Sequence, residues 1–252
     1  IFKKIFKTKI YFHEQNSVIG RVHRFFLFVS DKIFLTFENT KGINSKYNVI
    51  YSGFPARKDV EKYKKIKLIL SKKEKKLNFL VFGGSQGALN LSRKIVNLLT
   101  QLTSNYQLLI NLTIQAPKDD INNLKSKLNK TSITYEINTF YKDIISRISK
   151  SNLCICRAGS STINELLGLK TPSILVPLPS ATNNHQYYNA KYLSNRKAAI
   201  LIEEKNLSNQ QTSNIIKDII FNRDLLEEML ANLNKIVEID SNNLMYKQIF
   251  CE

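Results

Sequence analysis

The chain has no tryptophan and, in 252 residues, only three cysteines, five prolines and eight glycines. So little proline and glycine excludes collagen-like and linker-dominated sequence, and neither an internal repeat nor a low-complexity tract is present. Three cysteines exclude a disulfide framework. Cys154 and Cys156 alternate on one face of an apolar segment, which reads as core packing; no second pair exists for a metal, and Cys251 is terminal. This usage fits a reducing compartment. Long hydrophobic runs are also missing. The nearest, Phe25-Phe26-Leu27-Phe28-Val29, stops at Ser30, Asp31 and Lys32, well short of the roughly 20 residues of a membrane helix. No signal-peptide pattern opens the chain. Acidic residues are scarce, 20 against 38 Lys and Arg, for a net charge of +18. That imbalance raises nucleic acid as a partner, but the lysines are spread along the chain with Asn and Ile and have no interleaved aromatics. The densest cluster, Lys58 to Lys76, is diluted by Glu61 and Glu74. The charge reads as solvated helix faces, with attraction to an anionic membrane surface as the alternative, and not as a nucleic-acid patch.

What is present is an ordinary hydrophobic share, 43%, enough for one large core or two modest ones. Apolar runs of strand length alternate with amphipathic segments. The expected strands are Lys9–Phe12, Ile33–Thr36, Val49–Tyr51, Leu77–Phe82, Gln107–Ile110, Ile133–Glu136, Leu153–Cys156, Ser173–Val176 and Ala199–Ile202. The expected helices include Ser17–Val29, capped by Ser17, then Ala88–Leu102, Asp119–Leu128, Tyr141–Lys150, Thr162–Leu167 and Gln186–Ser194, with a helical tail from Ser208. Strands separated by helices predict an α/β fold with doubly wound parallel sheets. The stretch from Leu77 to Ile202 supplies about six strands, a full Rossmann-like domain. The three strands before Gly53 belong to a second sheet and are too few to complete it. The chain opens on Ile1-Phe2-Lys3-Lys4 without methionine, so the expectation is that upstream residues complete that first domain.

The chemistry gathers at strand ends. Ala158-Gly159-Ser160-Ser161-Thr162-Ile163-Asn164-Glu165 follows an apolar strand and opens a helix. Either serine can cap that helix. Free N–H groups and the positive end of the helix dipole favour a phosphate there, and Glu165 can accept from a sugar diol. The same S/T-x-x-E pattern also serves as a capping box with no ligand. Gly83-Gly84-Ser85-Gln86-Gly87 is a second strand-to-helix glycine turn, with neither the P-loop lysine nor the dinucleotide spacing. Two such turns in one sheet can share a nucleoside diphosphate. Phe140-Tyr141 lies at a third strand end, to read a base edge or to start a helix. Asn183-Asn184-His185-Gln186 offers amides suited to sugar hydroxyls, Gln186 above all. Arg57 follows the turn Gly53-Phe54-Pro55, where a guanidinium can neutralise a leaving diphosphate or sit on the surface. His13-Glu14-Gln15-Asn16 are polar groups at the end of the first strand, where open α/β sheets place ligands.

These motifs, in this order, resemble the MurG family of bacterial lipid-linked N-acetylglucosaminyltransferases, over residues 10 to about 240. The resemblance implies an inverting glycosyltransferase of GT-B type. It implies UDP-N-acetylglucosamine (UDP-GlcNAc) as donor and undecaprenyl-diphosphate-N-acetylmuramoyl-pentapeptide (lipid I) as acceptor, with lipid II as product. No metal or cofactor is implied. The place is the cytoplasmic face of the inner membrane, held peripherally against its anionic surface, in the service of wall synthesis, cell shape and division. Residues 1–56 would be the back of the acceptor-side domain, 57–237 the donor domain, and 238–252 a helical tail returning to the first. By motif, Asn16 and Gln186 would meet the donor sugar, Ser85 and Arg57 the diphosphate, and Tyr141 the uracil turn. Ser160 to Glu165 would line the nucleotide, with Glu165 on the ribose. His13 and Glu14 are the candidates for general base. Phe54 stands where the family favours Asn, and Asn183-Asn184 where it favours acids. Another GT-B nucleotide-sugar enzyme, such as a UDP-sugar epimerase, or an inactive UDP-sugar-binding module are the alternatives.

Overall fold

The computed structural model of the chain describes residues 8–44, 46–55, 58–63 and 76–251, with the side chains of 84–88 outside that description. Among the described residues nine strands form two parallel sheets. The first is β1 (Tyr11–Glu14), β2 (Lys32–Leu35) and β3 (Val49–Tyr51), in that order. The second holds β4 (Leu77–Phe82), β5 (Ile110–Gln115), β6 (Thr134–Asn138), β7 (Leu153–Cys156), β8 (Ser173–Leu175) and β9 (Ile200–Leu201), in the order β6-β5-β4-β7-β8-β9. Counted from its own first strand, this is the 3-2-1-4-5-6 order of a dinucleotide-binding Rossmann sheet. Its switch point lies between β4 and β7, and Phe82 stands opposite Cys156 there. The two glycine turns therefore leave the sheet side by side.

Eleven helices cover the sheets among the described residues: α1 (Arg21–Phe26), α2 (Lys58–Tyr63), α3 (Gly84–Thr100), α4 (Ser104–Gln107), α5 (Ile121–Leu128), α6 (Ile144–Lys150), α7 (Ser160–Gly168), α8 (His185–Ser194), α9 (Gln210–Phe221), α10 (Asp224–Lys235) and α11 (Ser241–Phe250). Both faces of the large sheet are buried. Leu77, Phe79, Val81, Ile110, Leu112 and Ile155 pack on one side with α3, α5 and α9. Leu80, Phe82, Cys154 and Cys156 pack on the other with Ile163, Leu166, Ala190 and Leu193. Side chains of this kind contribute roughly 1.5–3 kcal/mol each on burial. Both buried cysteines sit on one face, and burial raises both thiols well above their ordinary range.

Several expected elements move. Gln107 does not begin a strand: it closes α4, and its buried Nε2 donates to the carbonyls of Leu99 (3.5 Å), Thr100 (3.3 Å) and Leu102 (2.8 Å). The strand is the next segment, in which Ile110, Leu112 and Ile114 are buried and Asn111 and Thr113 are not. The helix expected from Ser17 starts at Arg21, because Ser17 is engaged elsewhere. The helix expected at Tyr141 starts at Ile144, and the one expected at Ala88 starts at Gly84. The lysine-rich stretch beyond Tyr63 lies outside the described residues. In the tail, Lys32 Nζ on β2 donates to the Gln248 carbonyl of α11 at 2.8 Å, so the last helix touches the small sheet.

Candidate active site

The crevice lies between the C-terminal ends of β4 and β7 and the facing loop after β1. Gly159 is the N-cap of helix α7, and no side chain caps the helix. Ser160 and Ser161 are not caps, as the sequence allowed; they occupy the first two helical positions, and the first helical bond runs from Ile163 N to Gly159 O at 3.0 Å. The N–H groups of the first turn are thus left for a ligand. Helix α3 likewise has a glycine N-cap, Gly83, and no side-chain cap, which puts Ser85 in its first turn. A pocket of about 150 Å³ joins the crevice to the first sheet. Its walls are Gln15 and Thr36, Phe54 and Pro55 of the linker, and Ser160, Ser161 and Asn164 of α7.

Helix α8 holds the turn in place. Gln186 Oε1 accepts from Ala158 N (3.2 Å) and Leu178 N (3.0 Å), so it joins the ends of β7 and β8. Asn189, fully buried, donates to the Ala158 carbonyl at 3.1 Å and to Asn16 Oδ1 at 3.1 Å, and accepts from Ser17 N and Oγ, both at 2.8 Å. This is why Ser17 caps no helix. Arg157 is buried and donates to the carbonyls of Val176 and Pro177, both at 3.3 Å, and pairs with Glu204. Asn164 Nδ2 donates to the Pro55 carbonyl at 3.0 Å, which ties α7 to the linker.

The structure divides the sequence candidates. Ser160, Ser161 and Thr162 lie on the first turn of α7 and Asn164 just beyond it; Ser161 is exposed and Ser160, Thr162 and Asn164 are half-buried. Asn16, also half-buried, meets them across the crevice through Asn189. Ile163 has its side chain in the core, so only its backbone faces the turn. Glu165 is 8% exposed and within electrostatic reach of Cys154 and Cys156. Tyr141 is not a platform for a base. It is buried, its hydroxyl donates at 3.4 Å to the carbonyls of Ile114 and Glu136, and the Arg147 guanidinium covers its ring at 4.1 Å. Burial and the neighbouring Glu136 push its phenol up to about 12. The ring that reaches solvent there is Phe140, 67% exposed. Arg57 lies outside the described residues.

Of the two proton-transfer candidates, Glu14 is occupied. It is 3% exposed; Oε1 accepts from Asn16 N at 2.9 Å, and Oε2 from Gly20 N at 2.7 Å and His23 Nδ1 at 2.8 Å. It folds the loop that carries Asn16. His13 contacts Thr36 Oγ1 at 2.9 Å through Nε2, and burial holds its imidazole below the ordinary value, hence neutral at pH 7. The residue left without a role by the sequence motifs is Asn189, although the pattern His185-Gln186-x-x-Asn189-Ala190, which is part of the family resemblance, contains it. Its signal was the spacing from Gln186, which puts two amides on one face of a helix. A second cavity, of about 400 Å³, lies behind the linker among Tyr51, Phe54, Tyr192, Ile239 and the carboxylates of Glu61, Glu238 and Asp240. Its carboxylates disfavour a diphosphate.

A Rossmann sheet with two uncapped helix N-termini at its switch point, beside a second parallel sheet, is the architecture of a GT-B-type glycosyltransferase. Solved structures share it. The MurG structure from Acinetobacter baumannii matches with a TM-score of 0.80 at 23% identity, covering 99% of this chain and 70% of that one. The S. aureus MnaA–UDP structure matches at 0.62 and 13% identity, covering 99% and 71%. Sequence narrows the class. The glycosyltransferase family 28 C-terminal domain matches residues 78–242. The UDP-N-acetylglucosamine–N-acetylmuramyl-(pentapeptide) pyrophosphoryl-undecaprenol N-acetylglucosamine transferase of Rickettsia canadensis is 35% identical over 239 residues, 93% of this chain and 67% of that protein. The chain belongs to this family, the MurG transferases of glycosyltransferase family 28.

Proposed function

We propose that the chain transfers N-acetylglucosamine from UDP-GlcNAc to lipid I, giving lipid II and UDP. The observation that carries the reading is the pair of uncapped helix N-termini flanking the switch point, in a chain of this family. The acceptor hydroxyl attacks the anomeric carbon from the face opposite the nucleotide. The bond from that carbon to the UDP oxygen breaks, and the configuration inverts. The N-termini of α3 and α7, with Ser85 and Arg57, take the charge that develops on the diphosphate, so the step needs no metal and EDTA leaves the rate unchanged. Glu165 takes the ribose, the Phe140–Tyr141 turn the uracil, and Asn16 and Gln186 the sugar. The hydroxyl proton goes to a base, and His13, neutral and at the cleft end of β1, fits that task better than the fully engaged Glu14.

The same reading places the chain on an anionic membrane surface, where its acceptor would lie. Among the described residues no helix is long and apolar enough to cross a membrane. Val22, Phe25 and Phe28, each about 70% exposed, stand with Arg21 and Arg24 on and just after α1, a pairing that suits anionic lipid. The test is transfer of labelled N-acetylglucosamine to a lipid I analogue in anionic vesicles, with vesicle co-sedimentation. Label in the lipid-linked product supports the reading; UDP-GlcNAc binding with no transfer overturns it in favour of a binding module.

A further inference from the structure

The way two side-chain amides face is decided here by backbone groups that have no choice. The N–H of Ser17 can only donate, and it donates to Asn189 Oδ1 at 2.8 Å; the carbonyl of Ala158 can only accept, and it accepts from Asn189 Nδ2 at 3.1 Å. Asn189 therefore has one orientation. Its nitrogen also donates to Asn16 Oδ1 at 3.1 Å. Asn16 in turn must point its oxygen inward and its nitrogen away from Asn189. The Asn189 side chain is 0% exposed, and its two donors and its oxygen are all engaged. Gln186, one turn earlier on α8, is oriented by the same logic: Oε1 takes the N–H groups of Ala158 and Leu178, so its free group is Nε2.

We propose that Asn189 is a positioning residue that fixes the Asn16 carboxamide with its nitrogen toward the cleft. Asn189 touches no substrate. With it in place, Asn16 and Gln186 together present only N–H donors to the sugar edge of the donor site. The ligand that fits is a sugar offering acceptor oxygens, hydroxyl lone pairs or an acyl carbonyl, to both. The consequence for sugar binding rests on the donor-site reading above; the orientation of Asn16 rests on the hydrogen bonds alone.

Asn189→Asp separates the two. It keeps the size and the acceptor for Ser17 but removes both donors, so at pH 8 a carboxylate faces the oxygen of Asn16 and the carboxamide turns over. Two measurements on the full chain read the result: the ¹⁵N side-chain resonances of Asn16, and titrations with UDP and with UDP-GlcNAc. The Asn16 resonances should shift at pH 8. UDP affinity should fall only by what the lost bond to the Ala158 carbonyl costs the turn, and UDP-GlcNAc affinity should fall about tenfold further, the worth of one hydrogen bond. Asn189→Ala removes the donors without adding charge; it should give the same resonance shift and guards against a misfolded first variant. Asn16 resonances unmoved in both variants overturn the proposal, as does an equal loss for UDP and UDP-GlcNAc. If the unaltered chain fails to bind UDP-GlcNAc, the donor-site reading falls, and the resonances still decide the orientation of Asn16.

Discussion

Removing the Glu14 carboxylate tests whether this buried acid builds the site or does its chemistry. It accepts three hydrogen bonds, from Asn16 N, Gly20 N and His23 Nδ1, and is 3% exposed. A bond to a charged group contributes about 1.5–3 kcal/mol. The His23 ring has 28% of its side chain exposed and can turn to water, so its share is discounted. Asn16 and Gly20 are half-buried, and water recovers part of theirs. Glu14→Ala should therefore cost about 3 kcal/mol, which for a chain of this length lowers the melting temperature by about 6–12 °C. Glu14→Gln keeps an acceptor for one amide but turns an N–H₂ toward the other, so it should lose about half as much. The assays are thermal and urea unfolding, with transfer rates measured well below the transition. Because the loop carries Asn16, the KM for UDP-GlcNAc should rise more than kcat falls. A Glu14→Ala chain that melts like the parent but loses about a thousandfold in kcat would refute the reasoning and make Glu14 the base.

The remaining predictions concern the turn, the base site and the histidine. Gly159 has an ordinary φ of −64°, and an added Cβ would meet only Thr162 Oγ1, at 3.9 Å; Gly159→Ala should leave stability within about 0.5 kcal/mol, so a clear drop in UDP affinity by calorimetry would report a phosphate at that backbone. Tyr141→Phe removes two long hydrogen bonds and should cost under about 1 kcal/mol with UDP affinity unchanged, whereas Phe140→Ala should weaken UDP about five- to tenfold if the exposed ring meets the base; the reverse pattern would restore Tyr141 as the platform. Burial lowers the His13 imidazole below 6.5, so as pH falls below that value the unfolded chain takes up a proton that the folded one resists. Stability should fall through that window, and it should fall less in His13→Asn; identical pH–stability curves for the two would show that His13 is not buried as described.

Much of the fold was legible because apolar runs the length of a strand recur between amphipathic segments. Leu77–Phe82 and Leu153–Cys156 appear as read, since strands buried on both faces have no alternation to misplace. The strand at Gln107 was misread for the opposite reason. Gln107-Leu108-Leu109-Ile110 looks like the start of an apolar run, but the alternation that counts begins at Ile110, and Gln107 is drawn back to three carbonyls at the end of α3. Ser17 carried a fair local signal for a helix cap and lost it to Asn189, 172 positions away; no local pattern reports such a partner. Between Phe140 and Tyr141 sequence offers two adjacent rings, and only the core decides which goes in. The glycine turns were readable as turns. That neither is capped was not, because two serines stand right after Gly159 and the helix starts one residue too early to use them.

That early start is where fold and site meet. Serine at the cap position is favoured over glycine by only a few tenths of a kcal/mol, so a Gly159 cap costs little, and it leaves the first-turn N–H groups without a side-chain competitor. A turn that lacks its own cap needs rigidity from elsewhere. Here Gln186 and Asn189 grip the Ala158 peptide by its N–H and its carbonyl, and Arg157 is fastened to Val176, Pro177 and Glu204. Asn164 adds a link of another kind, since its bond to the Pro55 carbonyl makes the linker a direct neighbour of that turn. Asn189 reaches Ser17 and Asn16 of the first sheet's loop by a separate route. Motion of one sheet against the other must therefore strain the turn or break one of these two links. On the proposed function, a phosphate that fixed the turn would favour one alignment of the two sheets, the alignment in which Asn16 is held beside the donor site.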